Sequence, residues 1–361
     1  MKNHITFLCT LLCVLLIGTA GVAQELEYVD GTTLTQVNKV HPTARPYSRL
    51  EVSKYPDLSK TVRRYYSHST GVALVFRTDS RTLGARWTTV GNKTSTHYSA
   101  LAQQGMDLYI KRDGEWVFAG IARPQRSDTH SATIVKNMPE GEKECLLYLP
   151  LFDELKSLEI GIDPGSRIEA SENPFRHRIV VIGSSITHGV GAGRPGMAYP
   201  AQLERATGFE FINLGASGQC KMEQFFAHVA ADCEADAFLF DSFSNPSAQQ
   251  INERLDAFVA TIRAAHPTTP LIFLQTEVRE SRNFDEKIRK FEDDKRAASE
   301  AGMEKLLKAD RNIYFINPGM PLGSDHEATV DGVHPSDLGF ARMLEEIRPQ
   351  IVRILKKYGI K

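Results

Sequence analysis

The sequence predicts a two-part chain: a β-rich half, sandwich or jelly-roll in type, followed by an α/β half with a parallel sheet and helices on both of its faces. Three observations carry this. The 361 residues suit two domains, each able to bury its own core. Turn-prone clusters, Asp163-Pro164-Gly165-Ser166 and Ser171-Glu172-Asn173-Pro174, punctuate the chain near its middle. Behind them the hydrophobic pattern changes from short alternating runs to compact apolar runs separated by helical spacing.

Lys2, the apolar run from Phe7 to Ile17 and the small residues Gly21-Val22-Ala23 read as a secretory signal peptide over residues 1–23, cleaved after Ala23. The run is too short to span a bilayer, and Cys9 and Cys13 each follow a leucine, which argues against a lipoprotein. A secreted or periplasmic protein with no stable membrane insertion is expected. Cys145, Cys220 and Cys233 remain after the leader, an odd number that rules out a fully paired disulfide scaffold. Cys220 and Cys233 could pair, although plain buried cysteines are the preferred reading. The net charge of -1 argues against a nucleic-acid partner, and no metal-ligand spacing is present.

Residues 25–170 form the β-rich domain. Val72 to Phe76 and Glu144 to Leu149 are strand-like runs, and Met106 to Gly120 reads as a hairpin turning at Asp113-Gly114. The boundary falls near residues 170–176, and the second domain covers 177–361. Its apolar runs are Ile179–Ile182, Phe209–Ile212, Ala237–Phe240, Leu271–Leu274 and Ile313–Ile316. Ile251, Leu255, Phe258, Val259 and Ile262 fall at helical spacing, as do Leu344, Ile347, Ile351 and Leu355. Buried strands alternating with helices give a parallel sheet, and chemistry on such a sheet sits beyond the carboxyl ends of its strands.

Four loops lie at those ends. Gly183-Ser184-Ser185-Ile186-Thr187 puts hydroxyls at the head of a helix, where a serine can be a nucleophile or only an N-cap. Asn213 to Gly218 contains glycines that let backbone approach a ligand, which is also ordinary turn chemistry. Asn245 offers an amide donor, although Asn-Pro equally starts a turn. Asp331-Gly332-Val333-His334 can place a carboxylate beside one imidazole nitrogen and leave the other free to take a proton. Together these supply a nucleophile, an oxyanion hole, a base and an orienter.

These blocks, in this order, resemble the SGNH (GDSL-type) hydrolases over roughly residues 177–357. The resemblance implies a flavodoxin-like three-layer α/β/α domain with Ser185 as nucleophile, His334 as general base and Asp331 as its partner. It also implies an oxyanion hole of the Ser185 and Gly218 backbone amides and the Asn245 side chain, with no cofactor. Gly105-Met106-Asp107-Leu108-Tyr109 resembles the GxDLY signature of a β-rich domain found before such hydrolases in secreted bacterial proteins. The combination points to carbohydrate esterases, hence to removal of small acyl groups, acetyl above all, from a small-molecule or polysaccharide ester. A lipase or thioesterase of the same fold and a non-catalytic carbohydrate-binding protein are the alternatives. Two departures bear on subclass: Ser184 replaces the usual aspartate of the first block, and Ser-Asn-Pro replaces Gly-x-Asn-Asp in the third. Ser184 is thereby a rival nucleophile, set aside on motif register.

Other features read as structural. Glu286 to Arg296 is taken as a solvated helix face, Trp87 and Trp116 as core tryptophans before sugar-stacking ones, and Asn92-Lys93-Thr94 as a chance glycosylation sequon. His188 could line the site or lie on the surface.

Overall fold

The computed structural model describes residues 25–91 and 95–361. The signal-peptide reading of residues 1–23 and the sequon at 92–94 lie outside the described residues.

The N-terminal half is an antiparallel β-sandwich. One sheet is ordered Glu27–Asp30, Leu155–Ile162, Leu83–Thr89, Thr129–Val135. The other is ordered Ile168–Ala170, Ala73–Thr78, Lys143–Tyr148, Met106–Arg112, Glu115–Ala122, with Thr35–Val37 also paired to Ala73–Thr78. Inward-facing residues alternate along the strands and meet in a core that includes Leu74, Phe76, Ala85, Trp87, Leu108 and Ile160. The hairpin turns at Asp113-Gly114, both with positive φ (54° and 87°), which matches the right-handed twist of its strands. Trp87 is a core residue, and Trp116 is partly buried against a smaller cluster.

The C-terminal half carries five parallel strands in chain order: Arg176–Gly183, Phe209–Gly215, Ala237–Asp241, Leu271–Leu274 and Ile313–Ile316. Their spatial order is second, first, third, fourth, fifth, the flavodoxin-like arrangement. Its switch point lies where the chain leaves the first strand in one direction and the third in the other. Successive side chains serve opposite cores. Val180, Ile182, Phe238 and Phe240 pack under Gln224–Asp232, Ala248–Ala265 and Glu286–Ala309, whereas Ile179, Val181, Ala237 and Leu239 pack under Tyr199–Thr207 and Asp337–Lys356. These are the three layers of an α/β/α domain.

The two halves share core. Val40, Leu50, Tyr55, Leu58, Val62 and Tyr66, from residues that precede most of the sandwich, belong to the cluster on one face of the parallel sheet. Arg49, fully buried, donates to the carbonyls of Asn213 and Gly215 at 3.0 and 2.8 Å. Among the described residues no helix is long and apolar enough to cross a membrane. Cys145, Cys220 and Cys233 are free and buried, and burial pushes each thiol up to about 12.

Candidate active site

The first strand ends at Gly183 and the chain turns at once into a one-turn helix, Ser185–His188. Ser184 is its N-cap residue but makes no side-chain cap bond. Its hydroxyl is buried without a partner among the described residues. Ser185, one residue on, points toward the fifth strand's loop, where its Oγ lies 2.9 Å from His334 Nε2.

The loop after the fifth strand builds the other half of that contact. Asp331 Oδ1 accepts from the amides of Val333 and His334 at 3.0 and 2.8 Å, which folds the segment into a tight turn. That turn leaves Asp331 Oδ2 2.7 Å from His334 Nδ1. With a carboxylate at Nδ1, the ring proton sits there and Nε2 is free to accept the Ser185 hydroxyl proton. Pro335 delays the next helix, which begins at Asp337 under a Ser336 cap. Burial lowers the His334 pKa below its ordinary value; Asp331 opposes this, and the nearby Arg279 and His97 add to it. Burial alone would raise the Asp331 carboxyl, but bonds from the His334 amide and ring outweigh it and hold it low. The pair therefore stands as carboxylate and neutral imidazole at neutral pH, the state a proton-accepting base needs.

The second and third loops are tied to the same turn. The Ala216 amide donates to the Gly183 carbonyl at 2.9 Å, Gly218 has φ +69°, and Asn245 Nδ2 donates to the Gln219 carbonyl at 2.5 Å. Asn245 thus spends one amide proton holding the loop that carries Gly218 and keeps the other.

Four residues near these loops were not singled out from sequence as part of the machinery. Asn213 bridges the Thr187 carbonyl and the Gly215 amide at 2.7 and 2.9 Å, fixing the turn that carries Ser185 to the second strand. His188 is neither surface nor lining: it is fully buried. Its Nδ1 accepts from the Ser217 amide at 3.2 Å, so Nε2 carries the proton and donates to the Leu151 carbonyl at 3.0 Å. Burial, with Arg49 and His68 nearby, keeps that ring neutral. His97, from the N-terminal half, puts Nε2 3.6 Å from Asp331 Oδ2, and no local pattern announces it. Lys295 departs from the solvated-face reading of Glu286 to Arg296. Lys295 and Glu292 are buried and paired at 2.6 Å, Arg279 joins Glu292 at 3.2 Å, and Lys295 Nζ donates to the Ser244 carbonyl at 3.1 Å. A buried charge persists there because each has a partner, and the cluster braces the backbone just before Asn245.

Residues 176–352 match the model of the GDSL-like Lipase/Acylhydrolase family, and residues 26–168 match GxDLY, the N-terminus of Esterase_SGNH_hydro-type proteins. No curated protein matched. Among solved structures, a chain from Bacteroides ovatus named as a GDSL-like lipase is 46% identical with a TM-score of 0.90, over 92% of this chain and 98% of that one. A salicylyl-acyltransferase from a tetracycline biosynthetic pathway shares the fold at 22% identity and TM-score 0.71, over 91% and 97% of the two chains. A family two carbohydrate esterase from Cellvibrio japonicus shares it at 12% identity and TM-score 0.60, over 92% and 99%.

Proposed function

From the premise that the chain belongs to the GDSL-like lipase/acylhydrolase family and is a carboxylic ester hydrolase, we propose that it is a serine esterase removing small acyl groups, acetyl first among them, from carbohydrate. The observation that carries this reading is the chain of contacts Asp331–His334–Ser185, at 2.7 and 2.9 Å. Ser185 attacks the ester carbonyl while His334 Nε2 takes its proton, held in the required tautomer by Asp331. The oxyanion is received by the backbone amides of Ser185 and Gly218 and by the Asn245 side chain. Losing one such donor costs about 3 kcal/mol in the transition state. His334 returns the proton to the leaving alcohol, and a water molecule repeats the attack on the acyl-enzyme.

Support for a small acyl group comes from the recessed nucleophile, since Ser185 is only 7% exposed. Support for a sugar as the leaving alcohol is the fold shared with a family two carbohydrate esterase. The secretory leader read from the sequence of residues 1–23 supports a periplasmic or extracellular location. The test is labelling by a fluorophosphonate together with hydrolysis of aryl acetates, acetylated xylan and acetylated mannan. Ser185→Ala should lose both labelling and hydrolysis, and His334→Ala should lose hydrolysis. Full activity in both variants ends the assignment.

A further inference from the structure

The GxDLY block sits in the sandwich, yet its two polar side chains leave it. Asp107 and Tyr109 are two apart on the strand Met106–Arg112 and so share a face. Asp107 is fully buried, and its Oδ1 accepts the Gly196 amide at 2.8 Å. Its Oδ2 and the Tyr109 hydroxyl both accept from the Arg194 guanidinium. Arg205 completes the grip, donating to the Gly196 carbonyl at 2.8 Å and lying over the Tyr109 ring at 4.0 Å. A Cβ at Gly196 would stand 2.7 Å from Asp107 Oδ2, so the turn seats on the carboxylate only because it lacks one.

The segment held in this way, residues 189–197, runs from the helix Ser185–His188 to the helix Tyr199–Thr207 and touches the segment that carries His334. The Gly193 amide donates to Asp337 Oδ1 at 2.9 Å, and the Gly193 carbonyl accepts from Ser99 Oγ at 2.8 Å. Gly191, at φ +92°, lies against the Pro335 carbonyl, where a Cβ would come within 2.1 Å. Pro335 is the residue after His334. A path of direct contacts therefore runs from the sandwich strand through Arg194–Gly196 and Gly191–Gly193 to the backbone that carries the base.

We propose that Asp107 and Tyr109 are positioning residues: by latching Arg194 and Gly196 they fix the strap 189–197, which sets His334 at hydrogen-bond distance from Ser185. The GxDLY block is then part of the catalytic apparatus of the other half, acting through backbone and touching no substrate. The latch rests on the esterase reading for its kinetic consequence but not for its mechanical one, so the experiment has two arms.

In the first arm, hydrogen exchange is followed peptide by peptide in the full chain and in Asp107→Asn, Tyr109→Phe and Arg194→Gln. Exchange should quicken in both 189–197 and 329–338, and quickening confined to the strand 106–112 would overturn the latch. In the second arm, kcat and KM are measured on p-nitrophenyl acetate. A shifted base should lower kcat by about 100-fold while KM moves less than about twofold. Asp107→Asn and Arg194→Gln should be non-additive in kcat because they break one contact. Wild-type kcat in a folded Asp107→Asn variant would overturn the proposal, as would losses that simply track thermal midpoints. If Asp107→Asn does not fold, Tyr109→Phe, which removes one oxygen, carries the same two readouts. An inert wild type, or a Ser185→Ala variant as active as wild type, refutes the esterase reading, and the exchange arm still decides the latch.

Discussion

Ser184 and Ser185 occupy neighbouring positions on the turn that closes the first parallel strand, and one step of backbone rotation sends their hydroxyls to different surroundings. Ser185 Oγ meets an imidazole at 2.9 Å, whereas Ser184 Oγ is buried with no partner among the described residues. A buried, unbonded hydroxyl is a liability of about 1 kcal/mol. Ser184→Ala should therefore keep the wild-type kcat and raise the thermal midpoint by a few degrees; a collapse of kcat would make Ser184 a working group. The base predicts its own pH dependence. In the proposed mechanism the base must be neutral His334, and burial holds its pKa below 6.5, so kcat/KM should be full at neutral pH and fall only as pH drops through that lowered value. Asp331→Asn removes the acceptor that selects the tautomer and should lower kcat by about 10,000-fold, measured on the same aryl acetate. A half-maximal point above pH 6.5, or a mild Asp331→Asn phenotype, contradicts the roles given to these residues.

At the scale of elements, legibility divided along a physical line. The five apolar runs from Ile179 to Ile316 coincide with the five parallel strands because a strand buried on both faces must be continuously apolar. The four loops could be placed at one sheet edge because a parallel sheet aligns its strand ends, and each block offered a candidate by residue type. What could not be read were contacts between distant elements. The buried run of Glu292 and Lys295 looks in sequence like any mixed-charge helix, since their partners Arg279 and Ser244 come from other elements. Glu204 is a second case, with a testable consequence. It lies on the helix Tyr199–Thr207, accepts from the Tyr148 hydroxyl of the sandwich at 2.7 Å and from the Phe211 amide at 3.2 Å, and burial raises its pKa to about 8. A carboxyl that holds its proton more tightly when folded stabilises the fold at low pH, and that contribution fades as pH rises from the unfolded value of 4.5 through 8. Glu204→Gln keeps the shape without the charge, so it should leave the thermal midpoint near its wild-type value at pH 4 and raise it at pH 8. Equal shifts at both pH values would show that the carboxyl ionises freely in place.

At the scale of the whole molecule, the change of hydrophobic period near residue 170 suggests two units that could be cut apart, but the packing ties them. Val40, Leu50, Tyr55, Leu58, Val62 and Tyr66 lie under the parallel sheet, in the same cluster as Val180 and Phe240. Arg49 satisfies the carbonyls of Asn213 and Gly215 at the start of the loop that carries Gly218, and Leu151 accepts from His188 on the one-turn helix that carries Ser185. At about 2 kcal/mol for each fully buried side chain, the loss of those six is of the same order as the net stability of an ordinary domain, about 5–15 kcal/mol. The fragment 177–361 should therefore lack a cooperative thermal transition and bind a hydrophobic dye, where the chain 25–361 melts sharply. The milder change Arg49→Met, made in the full chain, separates catalysis from folding. It frees the Asn213 and Gly215 carbonyls while the six apolar residues stay in place, so kcat should fall in a protein that still unfolds cooperatively. A cooperative, fully active fragment 177–361 would refute the shared core, and a wild-type kcat in Arg49→Met would show that the sandwich half lends the site its cover but not its geometry.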